Sequence, residues 1–423
     1  MIAETVTAFN ERWWNNFLES TNVLKKTNVF HNCMQKQETA SMREDVMKII
    51  RLIAINNIPE FGFRLYIEGK NIASKELSSF FENFTPGNDE KFEEWSERAF
   101  GDKKFGIIIN RGEKFNPTLV EKIAKKITPL TEKVGIPRLG VTFTIFIGNY
   151  GWTPLGIHTD GLGENVMHFH LGKGGKTMYT WDVETYEKIV EPANRFNNTK
   201  IEEILDKANV FDFEDGDIYF MPYGEYHVGK SDELSIGLTL WFNNHTESAL
   251  AKKLIDSLLF NNLEESYEIL PMDTSPYYDF ENFEDVKKLF HNNFGDKNFL
   301  TLLESTYRDY KMALYSNAGF WEPPFPKAEK IDHNLNFKIK IKEPFKIIYY
   351  SDSDSLLNLF IRGKKISLIN NSSIIDLIKK LNSGEQLQKE TVFNTLDISW
   401  NLDIKKYVLD IFFENHIIIV DYA

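Results

Sequence analysis

Two histidines and an aspartate in this chain have the types and the spacing to hold a metal ion. His158 and Asp160 lie two apart in "GIHTDG", and residues i and i+2 of a strand share one face. His227 lies in "GDIYFMPYGEYHVGKS", where Gly216, Pro222 and Gly224 predict a sharp turn that delivers a histidine to the start of the next strand. Two imidazoles and one carboxylate form a facial triad. Such a set leaves three positions of an octahedral ion open, which suits non-haem Fe(II) that takes up a co-substrate and then O2. Neutral imidazoles with a single carboxylate leave the site net positive, and that attracts a dianionic chelator.

Ligands this far apart in sequence need a scaffold of short strands. From Arg138, "RLGVTFTIFIGNYG" alternates strictly, with Val141, Phe143, Ile145 and Ile147 on one face. "NVMHFHLG", "KTMYTWDV", "NVFDFEDGDIYFMP" and "LSIGLTLWFN" continue the pattern to about residue 243, punctuated by Gly, Asp and Asn. Many short strands with turns between them predict a barrel or sandwich. No helix alternates with them, which argues against a parallel doubly wound sheet. Residues 1–104 read as a helical region, through "REDVMKIIRLIAINNI" and "DEKFEEWSERAF". "FGIIINRG" is a buried-type strand, and "NPTLVEKIAKKITPLTEKVG" a helix capped by Asn116 with Pro117 in its first turn. The expected core is thus 105–245. Residues 246–330 turn helical again and end in the Pro-rich "GFWEPPFPKAEK", which reads as a linker. Residues 331–423 form a distinct unit. "FKIIYY" and "NLFIRGKKISL" read as strands, "SSIIDLIKKLNSG" as a helix stopped by Gly384, then two more helices and a final "IIIV" strand. The order β-β-α-α-α-β is that of a winged helix.

Gly216, Pro222, Gly224 and His227 match the second cupin motif in spacing. "HTD", then "GKGGKTMYTW", then "GDIYFMP…H…SIGLTLWF" resembles the JmjC/cupin-like branch of 2-oxoglutarate oxygenases over about residues 138–243. Asparaginyl hydroxylases and bacterial ribosomal oxygenases are members of that branch. The resemblance implies an α+β fold around a double-stranded β-helix (a jelly roll), with Fe(II), 2-oxoglutarate and O2. It implies His158, Asp160 and His227 as iron ligands, and Lys176 as the partner of the far carboxylate of 2-oxoglutarate. Lys173 is the alternative, because this loop is about two residues longer than usual in the family. Ser235, on the strand after the distal histidine, fits an assisting hydroxyl. Thr144 and Tyr179 are weaker candidates, and Asn165 is expected beside a ligand or facing substrate. His168 and His170 make an HxH, which in other cupins supplies two metal ligands, but no glutamate follows in "LGKGGK". They are read as core or substrate-contacting groups. The implied chemistry is oxidative decarboxylation of 2-oxoglutarate to succinate and CO2, coupled to hydroxylation of a substrate C–H bond. The C-terminal unit after a helical linker is similar to the architecture of ribosomal oxygenases and to leader-binding modules of enzymes that modify ribosomal peptides.

Composition narrows the partners. A formal net charge of −13 and a pI near 5.3 argue against nucleic acid and against an anionic membrane surface. Lys and Arg balance Asp and Glu within 331–423, so that unit is expected to bind peptide or protein, or to dimerise, rather than to bind DNA. Cys33 is the single cysteine, no run of 18 apolar residues exists, and the first twenty residues lack a signal-peptide pattern. A cytoplasmic enzyme is expected. The reading is an Fe(II)/2-oxoglutarate-dependent dioxygenase that hydroxylates an amino-acid side chain in a peptide or protein. A ribosomally made natural-product precursor is preferred as substrate, since about 130 residues precede the barrel; a ribosomal protein is the alternative. The rivals are a hydroxylase of a free or carrier-bound small molecule and a metal-free cupin serving as a binding module.

Overall fold

The computed structural model describes residues 8–56, 62–263, 272, 276 and 283–422; the first seven residues and the "NI" that closes "REDVMKIIRLIAINNI" lie outside them. Helix α1 (Glu11–Ser20) is capped by Asn10, whose side chain accepts from the Trp13 amide. Strand β1 (Asn28–Phe30) and helix α2 (Lys36–Ile55) follow. Strands β2 (Phe63–Ile67) and β3 (Lys70–Asn71) form a hairpin. Then come α3 (Ser74–Phe84), α4 (Phe92–Phe100), β4 (Phe105–Ile109) and α5 (Pro117–Val134). Asn116 caps α5 as the sequence predicts, accepting from the Thr118 and Leu119 amides at 3.0 Å.

The barrel strands are β5 (Val141–Gly148), β6 (Gly151–Trp152), β7 (Glu164–Lys173), β8 (Lys176–Trp181), β9 (Asn209–Phe213), β10 (Ile218–Met221), β11 (Tyr226–Ser231) and β12 (Ser235–Asn243). They form two antiparallel layers, β10-β7-β12-β5 and β6-β11-β8-β9. Except at β8–β9, each strand crosses to the other sheet from its predecessor, which is the winding of a double-stranded β-helix. One short helix, α6 (Val183–Ile189), interrupts the run between β8 and β9.

The N-terminal part is not simply helical. β1 pairs with β10, and β4, β2 and β3 extend the larger sheet beyond β5 to eight strands. Three of those strands come from before residue 105. The alternation of β5 separates two environments. Val141, Phe143, Ile145 and Ile147 are all fully buried, in one core with Leu119, Ile123 and Ile127 of α5. Burial of each such side chain contributes about 1.5–3 kcal/mol. Thr144 and Phe146 point the other way, into the barrel.

Helices α7 (Glu247–Asn262), α8 (Phe283–Phe294) and α9 (Phe299–Ser316) follow the barrel. The Pro-rich segment after them is no loose linker. The Val141 amide donates to the Gly319 carbonyl at 2.8 Å, the Trp321 amide donates to the Val141 carbonyl at 2.9 Å, and Phe320 is fully buried. The C-terminal unit contains β13 (Phe337–Ile341), β14 (Ile348–Ser353), β15 (Leu356–Ile361), β16 (Lys364–Ile369), α10 (Ser372–Asn382), β17 (Leu387–Gln388), α11 (Lys389–Thr395), α12 (Leu402–Glu414) and β18 (Ile418–Tyr422). Its sheets are β17-β13-β18 and β14-β15-β16. "NLFIRGKKISL" is two strands rather than one, because Arg362 (φ 48°) and Gly363 (φ 83°) make a tight turn within it. "FKIIYY" falls on β14, and β13 and β17 are additions to the expected β-β-α-α-α-β order. Arg362 is fully buried, stacked 3.6 Å over the Phe345 ring, and its Nε donates to Asn317 Oδ1 at 2.9 Å, tying this unit to the end of α9.

Candidate metal centre

His158 and His227 meet backbone to backbone. The His158 amide donates to the His227 carbonyl at 3.2 Å, and the His227 amide donates back at 2.9 Å. A hydrogen-bonded antiparallel pair places both side chains on one face, and the ring centroids lie 4.5 Å apart. Each ring is oriented by its own strand. His158 Nδ1 meets the Gly156 carbonyl at 2.9 Å and His227 Nδ1 the Glu225 carbonyl at 3.2 Å. A carbonyl only accepts, so both Nδ1 atoms carry the proton and both Nε2 atoms turn a bare lone pair inward.

Asp160 sits just beyond the bridge, in a loop rather than on the strand that the two-residue spacing suggests. Its Oδ1 is 3.9 Å from His158 Nε2 and its Oδ2 is 3.7 Å from His227 Nε2. One ligand atom from each of the three lies within 4.8 Å of the others. Asp160 Oδ2 is buried and has no hydrogen-bond partner. Burial pushes the Asp160 carboxyl up to about 7, against the pull of His158. Burial likewise pushes His227 down to about 4, and burial followed by the neighbouring His227 lowers His158. Desolvation therefore opposes a lone carboxylate here and keeps the imidazoles neutral. A divalent cation reverses the first effect and uses the second. The donor set and the orphaned oxygen fit such an ion.

The triad opens on a cavity of about 320 Å³ between the two sheets, a volume within the range of small-molecule sites. Lys176 lines it and is 7% exposed. Its Nζ donates to Tyr150 Oη at 3.2 Å and lies 5.2 Å from the Phe146 ring centroid. Among the described residues it has no carboxylate partner. Gly229, which pairs with Met178 across the β8–β11 ladder, is required by this crowding: a Cβ there would stand 3.0 Å from Lys176 Cε and 2.9 Å from Met178 Sδ. Thr144 also lines the cavity.

Other expected contacts lie outside it. Lys173 is exposed and pairs with Glu93 at 2.8 Å on the outer surface, so it does not face the cavity as Lys176 does. Tyr179 has the opposite parity to Lys176 and Met178, and its ring lies tilted against Trp152, centroids 5.2 Å apart, on the far face of β8. Asn165 is likewise out of phase with Val166 and His168, and its side chain accepts from the Tyr223 amide. Ser235 is buried at the end of β12, past an irregularity in the pairing with β7, and does not reach the cavity wall.

His168 and His170 are fully satisfied by each other and their neighbours. His170 Nε2 meets the Gly174 carbonyl at 2.8 Å, and so must donate. Burial pushes His170 down to about 4, and His168 well down, so both are neutral. His170 Nδ1 then accepts from His168 Nε2 at 3.4 Å, and His168 Nδ1 accepts from Thr239 Oγ1 at 2.8 Å. Gly237 makes room for this chain, since a Cβ on it would fall 2.0 Å from His168 Cε1.

Tyr219, Asn110 and Arg64 are among the cavity groups that the sequence did not single out. Thr144, Thr239, His168 and Tyr219 form one row across β5, β12, β7 and β10. Tyr219 ends this row, almost fully buried, with a hydroxyl that has no partner. Burial, then the charges of Glu225 and Asp160, drive its pKa well up, so it is a donor beside the triad. Asn110 and Arg64 extend the wall beyond β5. Alternation along "DIYFMP" could have found Tyr219. Arg64 and Asn110 gave no such signal, because nothing in the sequence joins β2 to the barrel.

No family model matches the sequence, and no curated protein does. Solved structures do resemble it. An Escherichia coli ribosomal oxygenase, YcfD, is 15% identical over 96% of this chain and 97% of its own, with a TM-score of 0.45. The same protein in complex with cobalt and 2-oxoglutarate is 16% identical over 96% and 98%, with a TM-score of 0.45. Bacillus subtilis oxalate decarboxylase is 12% identical over 34% of this chain and 26% of its own, with a TM-score of 0.19. Likenesses at this level say nothing of the chemistry of this chain, which rests on its own residues.

Proposed function

We propose that this chain is an Fe(II)- and 2-oxoglutarate-dependent dioxygenase that hydroxylates a side chain of a peptide or protein. The observation that carries the reading is the buried, unpartnered Asp160 oxygen faced by two imidazole Nε2 atoms at the wall of a cavity that also holds Lys176. Two histidines and one carboxylate with open positions are the donor set of non-haem Fe(II) oxygenases. When bound, the ion and its co-substrate supply O2 activation driven by decarboxylation of 2-oxoglutarate.

The chain's own residues do the rest. His158, Asp160 and His227 hold the ion, with both rings fixed by backbone carbonyls. Lys176, braced by Tyr150, offers an ammonium to the far carboxylate of the co-substrate. Phe146, Met178, Phe213 and Met221 make that part of the wall apolar and exclude water. Tyr219 places an O–H donor near Asp160.

A peptide or protein substrate is supported by the C-terminal unit, which lends no residue to the cavity yet exposes Ile398 (97%), Leu402 (52%) and Tyr407 (61%) within ten residues of sequence. The length of chain before the barrel, the ground for preferring a natural-product precursor to a ribosomal protein, loses its force, because β1–β4 and α5 are built into the barrel's flanks. Among the described residues, no helix is long and apolar enough to cross a membrane.

Anaerobic Fe(II) with 2-oxoglutarate is expected to give a weak visible charge-transfer band, lost in His158→Ala and Asp160→Ala. No band in the wild type, together with no succinate formed, would sink the proposal. Ile398→Asp or Tyr407→Asp is expected to weaken substrate binding without touching that band.

A further inference from the structure

From the polar groups of the cavity, and resting on the oxygenase reading, we infer that the substrate presents a carboxylate to Arg64 and Asn110. The inference stands on the direction of a hydrogen-bond chain. An indole N–H only donates, so Trp241 Nε1 donates to Thr144 Oγ1 at 3.1 Å. The single Thr144 proton then goes to Asn110 Oδ1 at 3.3 Å. This is the orientation the amide has in the structure, and it lets Thr144 both accept and donate. The amide's oxygen is used, and its two N–H donors are left for the cavity.

Arg64 stands beside it. The register runs Arg64–Ile108–Phe146 across β2, β4 and β5, so the guanidinium side chain lies on the same face of the sheet as Phe146 and lines the same cavity. Arg64 Nε is buried and has no hydrogen-bond partner, and among the described residues no carboxylate pairs with this side chain. A buried guanidinium N–H without an acceptor costs about 1–3 kcal/mol, which an incoming acceptor recovers.

Charge decides between a neutral and an anionic acceptor. Among the described residues lining the cavity, the Arg, Lys, Asp and Glu side chains are Arg64, Lys176 and Asp160. In the loaded enzyme a divalent ion and Lys176 supply three positive charges, and Asp160 with a dianionic co-substrate supplies three negative. Arg64 is the charge left over. A substrate monoanion neutralises it, and the planar guanidinium suits a carboxylate. At the next strand the wall changes character. Thr239 spends its proton on His168, so it turns only lone pairs to the cavity. The carboxylate therefore belongs at the Arg64–Asn110 end and not at Thr239. It comes either from an Asp or Glu side chain or from the end of a peptide.

Calorimetry on the full chain loaded with Mn(II) and 2-oxoglutarate tests this without turnover. The probes are N-acetylated tripeptide amides Ala-Glu-Ala and Ala-Gln-Ala, and N-acetylated Ala-Ala-Ala with a free C-terminus, each up to millimolar concentration. The Glu probe or the free-acid probe is expected to bind about tenfold tighter than the Gln probe, and whichever does identifies the source. Arg64→Gln is expected to bring that ratio to about one, Arg64→Lys to keep part of it, and Asn110→Asp to lower it. Equal binding of acidic and neutral probes by the wild type, no binding of either acid, or a ratio that survives Arg64→Gln would overturn the inference. Loss of the anaerobic Fe(II)–2-oxoglutarate band in Arg64→Gln would also overturn it, by assigning Arg64 to the co-substrate while leaving the oxygenase reading intact. Absence of that band in the wild type would remove the oxygenase reading itself.

Discussion

The barrel holds two histidine motifs with the same two-residue spacing and opposite outcomes. His158 and Asp160 meet His227 with their ligand atoms unspent. His168 and His170, only ten residues on and more deeply buried, spend every ring nitrogen on Thr239, on each other and on the Gly174 carbonyl. Both pairs reach the interior, His158 and Asp160 through a backbone bridge and a short loop, His168 and His170 along β7. What separates them is whether the lone pairs are already used. An unsatisfied buried carboxylate oxygen is costly, so its presence at Asp160 marks a place where something else is meant to bind.

The comparison breaks most visibly at Asp160. Asp160→Ala is expected to lower affinity for Fe(II) or Mn(II) by more than about a hundredfold, since losing mere supporting partners of a ligand already costs 10–100-fold; His168→Leu is expected to leave it unchanged. Metal titration of both variants checks this, and equal losses would erase the distinction. Next in size is Lys176. Replacing it with Met is expected to raise the 2-oxoglutarate KM by about 10–100-fold, as loss of a charge-assisted hydrogen bond does, whereas Lys173→Met leaves it alone.

The satisfied pair should speak through stability instead. His170→Leu strands the Gly174 carbonyl and His168 Nε2, and is expected to cost about 1–3 kcal/mol in denaturant unfolding with metal affinity intact. The last effect is a pH slope. His170 titrates near 4 in the folded chain against an ordinary 6.5, so the unfolded chain takes up its proton first. Stability is expected to fall as pH drops from about 6.5 toward 4, by at most about 1.4 kcal/mol per pH unit from this residue. Unfolding of the wild type and His170→Gln at pH 7.5 and 5 measures it, and an unchanged slope in the variant would show that His170 is not held neutral by the fold.

The elements legible in the sequence were those with a local signature. The Asn116 cap, the alternation of β5 and the glycine turns that bring His227 to the start of β11 all follow from residue types a few positions apart. The metal set was legible because its geometry is made by one backbone bridge and one short loop. The failures were of another kind. β1 is three residues long and β3 two, too short for alternation to show, so their membership of the large sheet was invisible. Lys173 and Lys176 differ only in which side of the β7–β8 turn they leave. The choice between them is set by Glu93, about eighty residues earlier in the chain. "NLFIRGKKISL" hid a turn because Arg362 occupies a left-handed position that favours glycine.

The path of β2 has a further consequence for anyone who would cut this protein down. A minimal barrel of residues 105–245 looks self-contained on paper, and it carries His158, Asp160 and His227. Excising it would strip the partner from β4, leaving a row of open backbone donors and acceptors that invites association between copies. It would also take away Arg64 and with it one wall of the pocket. The unit that can be transplanted whole is therefore larger than the unit that carries the proposed metal ligands.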